Sequence, residues 1–202
     1  MSLTFYYAPQ SSASPTHWIL EELKVPYEKV LVDMKSGEQK KEAFTKINPN
    51  AKVPVIVHDG TTIFESVAIA IYLGETFGVE RGLFPAPGPS RGKAIQWLVW
   101  CNVSLGEAMS RVLWASNERV PKEMHNAALA AAGKAEVERL LGILNAELNG
   151  KEYLIDNKFS LVDAHLCSWV EYLGMVGVDV KAYDAVAAWS KRCLARPAAA
   201  VQ

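Results

Sequence analysis

Two short stretches combine residue types and spacing that suit recognition of a small charged peptide. The first is Val53-Pro54-Val55. Proline cannot donate to a sheet ladder, so it belongs at the start of a strand and not in its middle. Both isomers of its peptide bond are open. A trans bond gives a plain strand start. A cis bond turns the chain sharply and leaves the N–H and C=O of Val53 facing outward, as an edge for a bound peptide. Eleven residues after Val53 comes Phe64-Glu65-Ser66, where a strand meets a helix. A helix start offers free N–H groups and a positive dipole end, which suit a carboxylate. Ser66 adds a hydroxyl donor and Glu65 can accept from an ammonium, so a ligand with an α-amino acid end satisfies both. The same two residues also read as an ordinary N-cap and first-turn acid.

Other chemistries have little support. Cys101, Cys167 and Cys193 are odd in number, widely spaced and without a CxxC, which argues against a disulfide framework and a cysteine-built zinc site. They read as small buried hydrophobes in a reducing, cytoplasmic setting. His17, His58, His125 and His165 show no HxH or HxxxH spacing, so no metal is expected. With 21 basic against 22 acidic side chains the net charge is −1, which lacks the basic excess of a nucleic-acid binder. No apolar run reaches the roughly 18–20 residues that span a bilayer, so no membrane association is expected. Met1-Ser2-Leu3-Thr4-Phe5 lacks the charged and apolar regions of a secretory leader.

The positioning elements follow from periodicity in the 202-residue chain. Leu3–Tyr7 reads as a strand. Ser14-Pro15 opens a helix, with Ser14 as N-cap and Pro15 at the first helical position, running to about Lys24. Residues 27–32 form a second strand and residues 35–47 a weakly helical charged stretch. Residues 53–58 and 61–64 are strands joined by Asp59-Gly60, a strong hairpin signal. A helix follows from about Ser66 to Phe77. The order β-α-β-α-β-β-α describes an α/β first domain, residues 1–82, with a parallel pair and an antiparallel hairpin. Three prolines between residues 85 and 89 mark a stiff linker, residues 83–90. Residues 91–202 carry only helical signals: about 91–115, 122–149, 160–173 and 182–195. Ser160-Leu161-Val162-Asp163 is a capping box, with Phe159 before it as a possible staple.

Over essentially its whole length the chain resembles the cytosolic glutathione transferases. Asn48-Pro49-Asn50-Ala51-Lys52-Val53-Pro54 is similar to that family's NPxGKVP segment, with Ala51 in place of the usual glycine. Phe64-Glu65-Ser66, Ala68-Ile69 and Tyr72-Leu73 match its ES-xAI-xxYL segment, and the capping box matches its helical domain. The resemblance implies a thioredoxin-like N-terminal domain followed by an all-helical C-terminal domain, usually as a homodimer. It implies that Pro54 is cis, that Val53 pairs its backbone with the cysteinyl unit of glutathione, and that Glu65 and Ser66 hold the γ-glutamyl end. Gln39 and Lys40 lie in a stretch that looks like the GEHK segment of plant-type and theta-like members, and with Lys52 they are candidates for the glycyl carboxylate.

Glutathione's thiol has an unperturbed pKa near 8.5, so only a few per cent is thiolate at neutral pH. A hydroxyl donor and a helix N-terminus can stabilise the anion without a base. The loop Tyr6–Pro15 holds three serines. Counted forward from Pro9, Ser11 matches the serine of plant-type members. Counted back from His17 and Glu22, Ser12 matches the cysteine of beta-class members. Both remain candidates, Ser14 being spent as the N-cap. Tyr6 and Tyr7 resemble tyrosine-type donors but sit within the strand, and the loop has no cysteine for exchange through a protein thiol. A hydrophobic electrophile should bind between the domains. Trp100, Asn102 and Glu107 resemble the W-x-N…E-x-H pattern of beta-class members, with Met109 in place of the histidine, which places Asn102 near glutathione. Met109, Arg111, Val112 and Trp114 are candidates to line the pocket, while the tryptophans Trp97, Trp100 and Trp114 also read as core or dimer contacts. The expected activity is attack of the glutathione thiolate on that electrophile. A non-catalytic binding module, or a glutathione-dependent isomerase, dehalogenase, etherase or peroxidase, shares the same first half.

Overall fold

The computed structural model of the chain describes residues 2–116 and 120–201. The first half builds a four-stranded sheet in the order β2-β1-β3-β4, from β1 (Leu3–Tyr7), β2 (Glu28–Leu31), β3 (Val55–His58) and β4 (Thr61–Phe64). β1 and β2 run parallel, so the chain must cross over between them, and it does so through α1 (Ser14–Leu23). β3 and β4 are a hairpin whose Asp59 and Gly60 both take positive φ, 46° and 82°, as the Asp-Gly pair demands. Alternation decides the faces of β1. Leu3 and Phe5 are buried on one side, while Tyr6 meets Phe44 of α2 (Glu42–Thr45) edge-on at 6.1 Å. This is the expected thioredoxin-like domain with a mixed sheet.

α1 packs against α3 (Ser66–Leu73). Its Trp18, Ile19, Leu20 and Leu23 are fully buried, and it stops where Lys24 turns left-handed and returns its N–H to the Leu20 carbonyl. One expectation fails here. Ser14 is the first helical residue and Ala13 holds the cap position. No side chain among the described residues caps α1; the Ser11 hydroxyl ties the preceding loop, accepting the Ala13 N–H at 3.1 Å and donating to the Ala8 carbonyl at 2.7 Å. Ser14 instead shares a 2.8 Å hydrogen bond with the Tyr172 hydroxyl.

The elements of the second half are helices, α4 (Pro89–Trp100), α5 (Gly106–Ser116), α6 (Ala127–Leu148), α7 (Leu161–Glu171) and α8 (Asp184–Leu194), with one isolated antiparallel bridge between Ile155 and Lys158 in the loop before α7. The helix expected over 91–115 runs unbroken from α4 into α5 and widens to a π-helical turn at Cys101–Leu105. α5 and α6 approach so closely that a Cβ at Gly133 would lie 2.9 Å from Val112 Cγ2. Polar side chains finish the helix ends: Asn126 accepts the Leu129 N–H at the start of α6, and Asn145 of α6 accepts the Ala185 and Val186 N–H groups at the start of α8.

The capping box forms as read from sequence. Asp163 takes the Ser160 N–H and hydroxyl at 2.9 Å on one oxygen, and the Leu154 N–H and Trp189 indole N–H on the other. Burial raises the Asp163 carboxyl above the ordinary carboxylate range against the pull of these four donors. The domains are tied at several points. Leu161 N–H donates to the Leu83 carbonyl at 2.9 Å. Arg196 grips Glu22 of α1 with two 2.7 Å bonds and lies 3.6 Å from the Phe159 ring centroid. Phe84 of the linker packs on Gly74, where any Cβ would come within 2.6 Å of its ring.

Asp163→Ala removes a cap and strands buried donors, so it should lower unfolding stability by about 3 kcal/mol. Urea denaturation reads this as a lower midpoint at unchanged slope. A loss under about 0.5 kcal/mol would contradict the role given to this carboxylate.

Candidate functional site

Strand register brings the two sequence motifs together. β3 pairs antiparallel with β4, Val55 opposite Phe64. The ladder ends with that pair, so the Val53–Pro54 segment and the Glu65–Ser66 segment leave the hairpin at the same end. β3 also pairs with β1, Tyr6 opposite Val55, which carries the loop after β1 past Val53. The Val53–Pro54 peptide bond is cis. The Ser12 hydroxyl donates to the Val53 carbonyl at 2.9 Å. Backbone polar groups of Val53, the Ser12 hydroxyl and the start of α3 therefore occupy one edge.

Backbone conformation sharpens this edge. Glu65 is held at φ 69°, a left-handed value that a residue with a Cβ rarely adopts, and its side chain is exposed at the N-cap of α3. Ala51 also sits at positive φ, 54°, which explains why a glycine suits that position in the family segment. Asn48 is buried and donates from its amide to the Lys52 carbonyl at 2.7 Å, fixing the chain just before Val53. Lys52 and Lys40 are exposed. Gln39 is not on a solvated helix face. It is buried in a short turn, and its amide oxygen lacks a partner among the described residues.

Asn102 lies on the π-helical turn and crosses to the first domain, donating from Nδ2 to Ser66 Oγ at 2.9 Å. Its Oδ1 lies 3.0 Å from Nε2 of His165, which donates to it. His165, on α7, was not singled out by sequence reading. The signal available was one histidine within the otherwise inward-facing run Leu161–Val170, where it is 0% exposed. Burial lowers its pKa from 6.5 to about 3, so the ring is neutral.

Beyond Ser11 and Ser12 opens an apolar groove of about 160 Å³. Met109 and Leu113 of α5 line it together with Trp169, Tyr172 and Met175. The Trp169 indole N–H is buried without a partner among the described residues. The expectation for Arg111 is corrected. It lies about 200° around α5 from Met109, is absent from the groove lining, and pairs with Glu107 at the surface. Trp114 likewise stands 68% exposed and Val112 packs into the α5–α6 contact, since one helix face cannot present all four residues. Trp97 is core, meeting Trp100 edge-on at 5.0 Å. Tyr6 and Tyr7 lie in β1, outside the groove, and all three cysteines are buried. A larger, open depression of about 520 Å³ elsewhere is lined by the Glu22–Arg196 pair, whose charges already satisfy each other.

Residues 1–75 match the family model of the glutathione S-transferase N-terminal domain, and residues 108–197 that of the C-terminal domain. The chain is 30% identical to the disulfide-bond oxidoreductase YfcG of Escherichia coli, covering 97% of this chain and 92% of that protein. It is 29% identical to glutathione S-transferase 1 of Schizosaccharomyces pombe, covering 89% and 85%. It also superposes on a glutathione transferase of Burkholderia graminis, solved with two glutathione molecules per subunit, at 29% identity and a TM-score of 0.87 over 98% of this chain and 85% of that one. The chain belongs to the cytosolic glutathione S-transferase family. Among the described residues no helix is long and apolar enough to cross a membrane.

The His165 shift has a sign that can be read. The unfolded chain takes up a proton near pH 6.5, the folded one only near 3. Stability is therefore complete above pH 6.5 and falls below it, on the order of 1 kcal/mol per pH unit. His165→Gln should flatten this slope relative to the unaltered protein, measured by denaturant unfolding from pH 7 to 4. Parallel slopes would contradict a neutral buried ring.

Proposed function

We propose that this family member binds glutathione along the Val53–Pro54 edge and uses Ser12 to hold its sulfur as thiolate, for attack on a small apolar electrophile in the adjacent groove. The observation that carries this reading is the Ser12 hydroxyl seated on the Val53 carbonyl at the mouth of the groove. The Ser11 hydroxyl is occupied at both ends within its own loop, which makes it a group that holds the loop's shape.

On this reading the cysteinyl N–H of glutathione takes the Val53 carbonyl and displaces Ser12, freeing that hydroxyl for the sulfur. The γ-glutamyl ammonium meets Glu65, and its carboxylate meets Ser66 and the N-terminus of α3. Lys52, Lys40 and the Gln39 amide serve the glycyl carboxylate. Asn102 acts on the ligand through Ser66. Lowering the thiol pKa by about two units needs roughly 2.7 kcal/mol of preferential anion stabilisation, within reach of one charge-assisted hydrogen bond and a helix end. The thiolate pair then forms the carbon–sulfur bond. In substitution the leaving group departs with its bonding pair. In conjugate addition water protonates the carbanion. Met109, Leu113 and Met175 offer an apolar, adaptable wall for such a substrate.

A second reading is favoured by the likeness to YfcG; as the loop has no cysteine, its attacking group would again be glutathione itself. Bound glutathione thiolate attacks a disulfide sulfur, expelling one thiolate, and a second glutathione resolves the mixed disulfide to oxidised glutathione. Rates with an aromatic halide and with a small disulfide distinguish the two.

A homodimer is also proposed, through the exposed apolar face that carries Val99 and Val103. Light scattering should give twice the chain mass for the unaltered protein and a lower value for Val103→Asp. A monomer in the unaltered protein would refute it.

Ser12→Ala should cut conjugation about 10- to 100-fold and raise the pKa of bound glutathione, followed by thiolate absorbance. Ser11→Ala removes two hydrogen bonds of the loop and should instead cost about 1 kcal/mol of stability with the thiol pKa unchanged. The reverse pattern would reassign the donor, and no effect from either would remove serine from the mechanism.

A further inference from the structure

We propose that His165, acting through Asn102, fixes the direction in which Ser66 donates and so is a positioning residue for the γ-glutamyl carboxylate of bound glutathione. The inference rests on the glutathione reading above.

The Asn102 amide has two possible seatings, related by exchange of its oxygen and nitrogen. In the first, His165 Nε2–H donates to Oδ1, and Nδ2–H donates to Ser66 Oγ, at 3.0 and 2.9 Å. The Ser66 oxygen then accepts a hydrogen bond from Asn102, and its own O–H is left to point outward. In the second seating Oδ1 accepts the Ser66 hydroxyl hydrogen and Nδ2–H donates to Nε2. Ser66 is then spent on Asn102, and the imidazole proton must move to Nδ1.

Burial decides between them. Nδ1 of His165 has no partner among the described residues, and the residue is fully enclosed in the helical half. A buried N–H without an acceptor is costlier than a bare ring lone pair. The second seating requires that orphan N–H and the first does not. The apolar surroundings of α7 thus select one tautomer, the tautomer selects one amide seating, and the seating leaves Ser66 a donor. The wide turn at Cys101–Leu105 places Asn102 for this bridge.

Removing the histidine donor strands Oδ1, which then captures the Ser66 hydrogen. Binding a carboxylate must break that hydrogen bond, so affinity falls by about one hydrogen bond's worth, roughly tenfold. Calorimetric titration with glutathione should show this loss for His165→Leu and for Asn102→Asp. His165→Gln keeps an N–H donor and should restore binding to within about threefold. A glutathione analogue with 4-aminobutyryl in place of γ-glutamyl lacks the carboxylate, and should bind the unaltered protein and His165→Leu alike. Nitrogen NMR of the ligand-free protein should find the His165 proton on Nε2. Equal glutathione affinity across the variants, an equal loss with the analogue, or a proton on Nδ1 would overturn the proposal. Should His165→Leu fail to fold, Asn102→Asp and the tautomer measurement decide alone. No binding by the unaltered protein would overturn the glutathione reading and this inference together, whereas normal binding with indifferent variants would overturn only the latter.

Discussion

Antiparallel pairing of Val55 with Phe64 is the constraint from which the candidate site follows. A shift of one residue in that register would carry the Val53–Pro54 segment out of step with Glu65–Ser66 and reverse which side chains of β3 face the core. Asp59-Gly60 sets the register locally, because a two-residue turn with both φ values positive admits only one pairing. The other edge of β3 is held by β1, so the loop that carries the serines is brought past the same residues. A four-residue strand thus indexes two recognition segments and one loop at once.

The helical half contributes in a different way. It buries polar groups that an apolar core would normally exclude: Asp163 with four donors, and His165 with one acceptor. Each costs desolvation, which its hydrogen bonds offset. Asp163 holds the start of α7 in place, two residues from His165. Asn102 then links α7 to the first domain. Arg196 on Glu22 and Tyr172 on Ser14 add further polar ties to α1. α1 is thereby fixed from both its buried face and its ends, and the groove beside Ser12 inherits that fixity.

Legibility in the sequence tracked the range of the interactions. β1, the hairpin and the capping box were readable because their determinants lie within a few residues: alternation, Asp59-Gly60, and Ser160 with Asp163. The family likeness supplied the cis bond at Pro54, which local reading left open. What escaped depended on neighbours distant in the chain. The Ser14 hydroxyl was read as a cap, yet its partner is Tyr172, 158 residues away. His165 looked like one histidine without a motif, because its meaning lies in Asn102, 63 residues away. The helical stretch read over 91–115 is continuous, but its wide turn at Cys101–Leu105 changes the phase between α4 and α5, which residue spacing alone did not reveal. Arg111 and Trp114 were included with Met109 although they occupy other faces of α5, an error that helical phase alone corrects.

Phe84 against Gly74, and Leu161 joined to the Leu83 carbonyl, leave the connection between the halves no slack. A Cβ at Gly74 would push Phe84 away, so the spacing of the two halves at this point rests on one missing methyl group. Gln10 and Met175, both exposed, stand where the groove meets solvent. Exposed side chains of this kind change rotamer on the picosecond-to-nanosecond scale, so the opening they border is defined by soft groups on a firmly packed frame.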